Sequence, residues 1–432
     1  MNNKYEIKSV YSLLMILLIG FVLIESNYWY LLSYLVCSSN VRYFIWAALI
    51  ILTLFAQKLK IRKAFICLTW LFYILMILFN NQELSHGYHS NTQRLILCIL
   101  IVFVCSYKEE WIKKVPKLTV AVGIPNVFAT LVFFIDNSLY QTFISKTYGE
   151  YQSGTENGLY GYRAALADHY SQNATYISMV LLVLFVLFIT EKKKRSKVFW
   201  GVLLGASAVA LLLTSKRAHL LFCVAAVIVV YYIAFPKKRM EKTFKLVVAG
   251  AFAAFGLAVL SEYIPQINRV FERFQTVGTD KESLGRLIMW DYAFGLFKQK
   301  PLFGMGWWGF RYSEITNIRA DALTGCHNVY IEILASCGII GFVIFAIAII
   351  SSLYITLKGI KICINNGIGT YATVLLCSVV IQVFCLMYCM TGNVMFDRTF
   401  HFYMIAVVIS ISFYLNKEKV THFLEESEQH EI

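Results

Sequence analysis

The sequence is poor in charged residues and in proline, and both shortages narrow the class of protein. Charged residues make up 15% of the 432 residues, and there are five prolines, whereas hydrophobic residues reach 59%. A soluble domain carries about 25% charged and roughly 45–50% apolar residues, so an ordinary soluble protein is excluded. The few prolines and the 16% aromatic content exclude disordered and low-complexity chains. A polytopic membrane protein remains.

The sequence also lacks the residue spacings that metal ions, disulfides and nucleotides need. Its 11 cysteines lie mostly inside apolar runs, without metal-ligand or disulfide spacing. The pattern of glycines at 304, 306 and 309 matches a dinucleotide-binding motif, but the strand and helix that such a site requires do not flank it. No carboxylate pair or Walker sequence stands where chemistry could use it. We therefore expect chemistry without a cofactor and without a metal ion.

What the chain does contain is a series of apolar runs that approach the roughly 20 residues needed to cross a bilayer. They predict an all-α polytopic membrane protein with about 12 transmembrane helices, in a single integral membrane domain over 1–432. The first run has no signal-peptide cleavage site, so we interpret it as a retained helix. The predicted spans are 10–26, 41–57, 64–80, 92–107, 117–136, 173–190, 197–213, 218–235, 243–261, 328–355, 370–390 and 399–415.

The net charge of +14 is concentrated in short basic loops between the spans, such as 58–63, 192–195 and 237–239. This is the distribution of a membrane protein whose short cytoplasmic loops are positive, and it argues against a nucleic-acid-binding face. Both termini are therefore predicted to be cytoplasmic, with 416–432 as a short cytoplasmic tail.

Two segments on the predicted extracytoplasmic side are too long to be simple connections. Residues 137–172 are rich in Tyr, Gly and polar residues, and 262–327 form the largest loop, between spans nine and ten. Within that loop, apolar residues recur at near-helical spacing over 283–298. This spacing predicts an amphipathic helix on the membrane surface. We expect the functional site on this side of the membrane.

Several cations on the predicted extracytoplasmic side of the membrane call for an explanation, because short loops on that side usually carry few Lys and Arg. Lys216 and Arg217 form a short turn that opposes the charge rule, which suggests an anionic partner such as phosphate. The alternative is an interfacial anchor that reaches the headgroups. Arg286, on the loop helix, and Arg163, before the sixth span, are ordinary solvated charges if taken singly. Because all three arginines lie on one side, they could line one cavity.

His327 stands directly before the tenth span. A histidine has an ordinary pKa of about 6.5 and can therefore accept and release a proton near neutral pH. Asn328 and Glu332 follow closely enough to orient or tune the side chain. The alternative interpretation is an interfacial histidine with its ring among the headgroups.

Together these segments resemble the signature region of the O-antigen ligase / polymerase superfamily. The motifs are His-Asn followed by Gly-x-x-Gly after a large loop, and a Ser-Arg-Gly-type turn in which Ala218 replaces the usual small Gly. The residues that carry the resemblance are Arg163, Ser215-Lys216-Arg217, Gly285-Arg286, Trp290, Pro301 to Gly306, His327-Asn328, Tyr330, Glu332, Gly338 and Gly341.

The resemblance implies a GT-C-like membrane glycosyltransferase that acts on undecaprenyl-diphosphate-linked oligosaccharides, as donor and as acceptor, at the outer leaflet. By this resemblance Arg217, Arg286 and Arg163 bind the donor diphosphate. His327 is the general base or positions the acceptor, and Lys216, Asn328 and Glu332 support them. Membrane lipid and other polysaccharide-assembly proteins are the implied partners, and the bacterial inner membrane is the implied location. Attack opposite the diphosphate predicts inversion.

Three other activities stay open beside a polymerase of capsule, exopolysaccharide or O-antigen, which we favour. A ligase of the same superfamily would transfer the finished glycan to lipid A core. A lipid-oligosaccharide flippase or sugar transporter also fits twelve spans, although the sequence shows no two-fold internal repeat. A scaffold for polysaccharide assembly is the last alternative.

Overall fold

A computed structural model describes residues 2–59, 64–148, 161–235, 239–263, 281–313 and 325–429, with three single positions between 264 and 280. Within these described residues the chain forms helices and turns and no strand. The prediction of an all-α polytopic membrane protein is therefore confirmed at that level.

The described part of the chain contains the following helices. In order they are α1 (Asn2–Leu35), α2 (Ser39–Ala56), α3 (Phe65–Leu78), α4 (Gln82–Ser85), α5 (Ser90–Val104), α6 (Val115–Ile135), α7 (Asn137–Tyr148), α8 (Tyr170–Thr190), α9 (Lys194–Leu213), α10 (Arg217–Ala234), α11 (Arg239–Tyr263), α12 (Lys281–Gln299), α13 (Val329–Asn365), α14 (Gly369–Tyr388) and α15 (Thr399–Gln429). Short 3-10 helices cover Glu110–Lys114 and Gly161–Arg163. The predicted tail, 416–432, begins inside α15.

Ten helices in the described part of the chain are long and apolar enough to cross a membrane, and they match ten of the twelve predicted spans. The chain is thus an integral membrane protein. The predicted span 92–107 corresponds to α5, whose 15 residues extend only about 22 Å, less than the ~30 Å hydrocarbon core. The predicted span 243–261 lies within α11 but is not among the ten. The count of twelve stays a prediction.

The chain divides into two compact units. The first contains Met1–Val22, Ser39–Pro116 and Gly285–Ile432, and the second contains Leu23–Ser38 and Lys117–Leu284. In the first unit α13, α14 and α15 pack together, α3 packs on α13, and α2 packs on α5. In the second unit α8 packs on both α9 and α10.

Buried polar side chains join the helices within each unit. In the first unit the Thr356 hydroxyl donates to Ser410 Oγ at 2.7 Å, and the Gln382 amide donates to Thr356 Oγ1 at 2.8 Å. In the second unit the Asn173 amide donates to Thr130 Oγ1 at 2.8 Å, which joins α8 to α6. Because lipid tails are as apolar as leucine, such interhelical hydrogen bonds contribute to helix association inside a membrane.

Helix α13 is broken at Gly338, where φ is +64° and ψ is −169°. The backbone groups freed by the break bond to the segment 301–306, which we call the clasp. The amides of Met305 and Gly306 donate to the carbonyls of Ala335 and Ser336 at 2.9 and 2.7 Å. In return, the amides of Ile339 and Ile340 donate to the carbonyls of Pro301 and Leu302, at 2.8 and 3.2 Å. The predicted span 328–355 coincides with a helix of membrane length, and the break at Gly338 is a feature that the sequence does not show.

The clasp explains glycines that the sequence could only mark as turn residues. Gly304 has φ of +68°, and a Cβ there would lie 2.5 Å from the backbone of Ser336. A Cβ on Gly338 would overlap the backbone of Leu302. Both positions therefore combine a left-handed backbone with close backbone contact, and only glycine satisfies both requirements.

Helix α12 covers the segment where the sequence predicts an amphipathic helix, but its apolar side chains lie on two sides. Ala293 and Leu296 are buried against Phe310 and other residues of the first unit. Leu287, Ile288 and Phe294 are exposed. An exposed apolar side next to a buried one suits a helix that contacts lipid and protein at once.

Candidate functional site

In the second unit, the turn between α9 and α10 places two cations at a helix start. Thr214 and Ser215 are buried, and Ser215 adopts φ of +55° to reverse the chain. Lys216 is then the N-cap of α10 and Arg217 its first residue. The free amides at a helix N-terminus carry a positive potential, so cations there are disfavoured unless an anion offsets them. Anions bind readily at such positions.

Tyr170 brings Arg163 and Lys216 together, although 53 positions of sequence separate them. The Arg163 guanidinium lies 5.2 Å and the Lys216 ammonium 3.9 Å from the centre of the Tyr170 ring. The ring stands at the start of α8, where the imidazole of His169 accepts the Ser171 amide at 3.1 Å. Arg163 and Lys216 thus share one aromatic ring within one unit, whereas the predicted convergence of Arg163, Arg217 and Arg286 stays a prediction.

Two further hydrogen bonds hold this cation cluster, which we define as Arg163, Lys216 and Arg217. The Asn173 amide donates to the Arg163 carbonyl at 2.8 Å and so fixes the 3-10 turn on α8. One turn after Lys216, the buried His219 shares a 2.9 Å hydrogen bond with Thr175 Oγ1, which fixes the start of α10 on the same helix. His219 is therefore buried inside the second unit.

In the first unit, His327 occupies a strained turn before α13. Its φ is +55°, and its amide donates to Asn393 Oδ1 at 3.1 Å. The side chain of Asn328 caps α13 by accepting the amides of Tyr330 and Ile331, at 3.1 and 3.3 Å. Asn328 thus determines where the helix begins, a role that needs no contact with His327.

Glu332 forms a buried ion pair with a residue that the sequence analysis missed. The Arg311 Nε atom lies 2.6 Å from Glu332 Oε1, and the Arg311 Nη2 atom lies 3.4 Å from Oε2. The Cys326 amide also donates to Glu332 Oε2 at 3.0 Å. The only sequence signal for Arg311 is an arginine directly after a turn rich in glycine and tryptophan.

Helix α12 connects Arg286 to the His327 segment. The indole of Trp290 donates to the Cys326 carbonyl at 3.0 Å. Arg286 lies four positions earlier on α12, half-buried, and residues four apart share a helix face. Arg286 and Trp290 therefore lie on the same face of α12.

His86, in the first unit, is held by packing. Its ring stacks on Tyr312 with centroids 4.1 Å apart, and its Nδ1 lies 2.7 Å from the Gln82 carbonyl. Among the described residues, no group of three or more His, Cys, Asp and Glu could hold a metal ion.

Asp397 is a titratable group that the sequence analysis did not single out. Burial raises its pKa to about 6, although the amide and hydroxyl of Thr399 and the charges of Arg94 and Arg311 act to lower it. Asp397 lies between α14 and α15.

We expect the Asp397→Asn variant to gain stability over the parent as the pH rises from 4 to 6. A carboxyl whose pKa is raised on folding stabilises the fold below its unfolded value, and that contribution is lost as the pH rises through the folded value. The difference in unfolding free energy should grow by at most about 3 kcal/mol and then stay level. Melting temperatures of the two purified proteins measure it, and a difference independent of pH would contradict this assignment.

Comparison with known proteins gives a family for the region that holds most of these residues. Residues 203–346 match the model of the O-antigen ligase family. No curated protein matches the chain. The matched region includes Lys216, Arg217, Arg286, His327 and Glu332, whereas Arg163 lies before it. The resemblance found in the motifs is thereby confirmed: residues 203–346 carry a domain that matches the O-antigen ligase family, which supports the O-antigen ligase / polymerase superfamily.

Proposed function

We propose that this chain is a membrane glycosyltransferase that polymerises a surface polysaccharide. It transfers the growing glycan from undecaprenyl diphosphate to the next lipid-linked repeat unit. The observation that carries the proposal is the cation cluster of the second unit, in which two residues distant in sequence share the ring of Tyr170. Membership of a superfamily that acts on lipid-linked polysaccharide supports it.

The cation cluster binds the diphosphate of the donor in this proposal. A guanidinium binds phosphate oxygens with two parallel hydrogen bonds, and an ammonium adds a point charge. Negative charge grows on the diphosphate as the glycosidic bond breaks. Cations that are already in place stabilise that charge without reorganisation. By the resemblance, Arg286 of α12 is a further diphosphate-binding residue in this proposal.

His327 acts on the acceptor. A sugar hydroxyl is a poor nucleophile until a base removes its proton, and an imidazole performs this step near neutral pH. Attack on the side opposite the diphosphate inverts the anomeric carbon. The reaction requires no metal ion, because the arginines and the lysine supply the positive charge.

The remaining features of the proposal concern location and architecture. We place the protein in the bacterial inner membrane as one GT-C-like domain over 1–432, with about 12 spans. Both termini and the tail 416–432 are cytoplasmic, because the short loops with most Lys and Arg then face inwards. The loop 262–327 and the site then face the outer leaflet, and the polyprenyl tails lie among apolar helices.

Cells that lack the protein test this function through the size of their lipid-linked glycan. We expect single repeat units on undecaprenyl diphosphate at the outer leaflet. Full-length polymer still attached to the carrier would instead identify a ligase, and single units trapped at the inner leaflet would identify a flippase. Re-expression of His327→Ala should leave the accumulation in place, whereas His89→Ala, at an exposed histidine of the first unit, should remove it.

A further inference from the structure

The buried ion pair between Arg311 and Glu332 has no part in the proposed chemistry, and stability alone does not explain it. The two side chains are 8% and 0% exposed. Removing two charges from water costs so much that replacing a buried ion pair by apolar residues of similar volume is often neutral or stabilising. A pair of this kind therefore calls for another role.

The ion pair is connected to His327 through the backbone. Glu332 Oε2 accepts the amide of Cys326 at 3.0 Å, and Asn393 Oδ1 accepts the next amide, that of His327, at 3.1 Å. Two consecutive amides are thus held by side chains from two other segments. His327 itself adopts φ of +55°, which a residue with a side chain rarely does and which surrounding structure must enforce.

Arg311 is itself fixed on both sides. Its guanidinium carbon lies 4.9 Å from the ring centre of Trp308 and 4.8 Å from that of Phe396. Gly325 admits this arrangement, because a Cβ there would overlap Arg311 Nη2 and lie 2.6 Å from Asn393 Oδ1. The aromatic rings thus orient Arg311, which in turn orients the carboxylate of Glu332.

We infer that Arg311, Glu332 and Asn393 are positioning residues that hold the backbone of His327 in its working conformation. None of them needs to touch the substrate. Arg311 fixes the carboxylate, the carboxylate fixes the Cys326 amide, and Asn393 fixes the amide of His327. The inference rests on the proposed function, since it assigns a purpose to the orientation of His327.

Two double variants that differ only in the residue at position 332 test the inference. Both replace the ion pair by uncharged residues. Arg311→Met/Glu332→Gln keeps an oxygen acceptor for the Cys326 amide, whereas Arg311→Met/Glu332→Leu removes it. We expect kcat of the Leu variant to be about 10-fold to 100-fold below that of the Gln variant, since a small misplacement of a catalytic group has effects of this size. KM should be equal in the two, whereas the melting temperature of the Leu variant should be lower, because its Cys326 amide is buried without an acceptor.

The assay uses purified protein in lipid vesicles and the repeat unit isolated from cells that lack the protein. Hydrogen exchange at the amides of Cys326 and His327 gives a second measurement, which we expect to be faster in the Leu variant. Equal kcat in the two variants would overturn the inference. If neither variant folds, Asn393→Ala and Asn393→Asp provide the same comparison, because the carboxylate retains an acceptor for the His327 amide.

Different results would contradict the proposed function and the positioning role of Arg311, Glu332 and Asn393. A fully active His327→Ala variant, or an absence of lipid-linked repeat units in cells without the protein, would contradict the proposed function itself. An inactive His327→Ala variant together with equal kcat in the matched pair would contradict only the positioning role.

Discussion

Replacing Arg217 by alanine should lower glycan transfer by at least about 100-fold. Removing one preorganised donor that stabilises developing negative charge typically costs a factor of about 10² to 10³ in rate. Arg217 opens α10 next to the cap residue Lys216, so its loss removes charge where the helix already favours an anion. Transfer is measured as polymer formed per amount of membrane-inserted protein.

The matched control is Lys192→Ala, which removes an exposed cation from the loop between α8 and α9. This variant should polymerise at the parent rate. Arg217→Lys should recover only part of the activity, because lysine keeps the charge but not the fork of donors. Normal transfer by Arg217→Ala would remove the residue from the diphosphate site.

Replacing Gly338 by alanine should prevent folding of the first unit. A residue with a side chain pays roughly 1–2 kcal/mol in the left-handed region, and here the new Cβ also overlaps the backbone of Leu302. To relieve that overlap, the clasp must move away from α13. This movement breaks or weakens the four backbone hydrogen bonds between them, each worth about 1 kcal/mol net. We expect the yield of folded protein to fall to a small fraction of the parent, as measured by size-exclusion chromatography in detergent.

Gly205→Ala is the control for this variant. Gly205 lies within α9, where no atom stands within 4 Å of an added Cβ. Alanine is favoured over glycine in a helix by about 1 kcal/mol, so this variant should be at least as stable as the parent. A Gly338→Ala protein with the parent's yield and melting temperature would contradict the description of the break.

Hydropathy and charge were sufficient to predict the membrane class, because the length and polarity of a span are local properties. Ten predicted spans coincide with membrane-length helices. The local sequence pattern did not predict the break in α13, because the run of apolar residues continues through Gly338 whereas the regular helical backbone is interrupted there. The break depends on hydrogen bonds to residues 30 or more positions earlier, and periodicity cannot report these.

In the candidate site, too, the sequence indicated residues that stand out locally and missed those whose role depends on distant partners. Lys216 and Arg217 could be singled out because a turn with two cations is unusual by itself. Arg311 could not, since an arginine after a glycine-rich turn is an ordinary surface residue unless its partner is known. That partner, Glu332, lies 21 positions away. Asn393 and Asp397 were missed for the same reason, because their neighbours come from other segments.

The clasp has a consequence for how the chain is made. Residues 301–306 leave the ribosome before the part of α13 that contains Gly338. For a time the backbone amides of Met305 and Gly306 therefore lack their acceptors in α13. Without the clasp, the amides and carbonyls at the break of α13 have no hydrogen-bond partners, and such unpaired backbone groups are costly in hydrocarbon. The clasp and the two halves of α13 therefore have to assemble together.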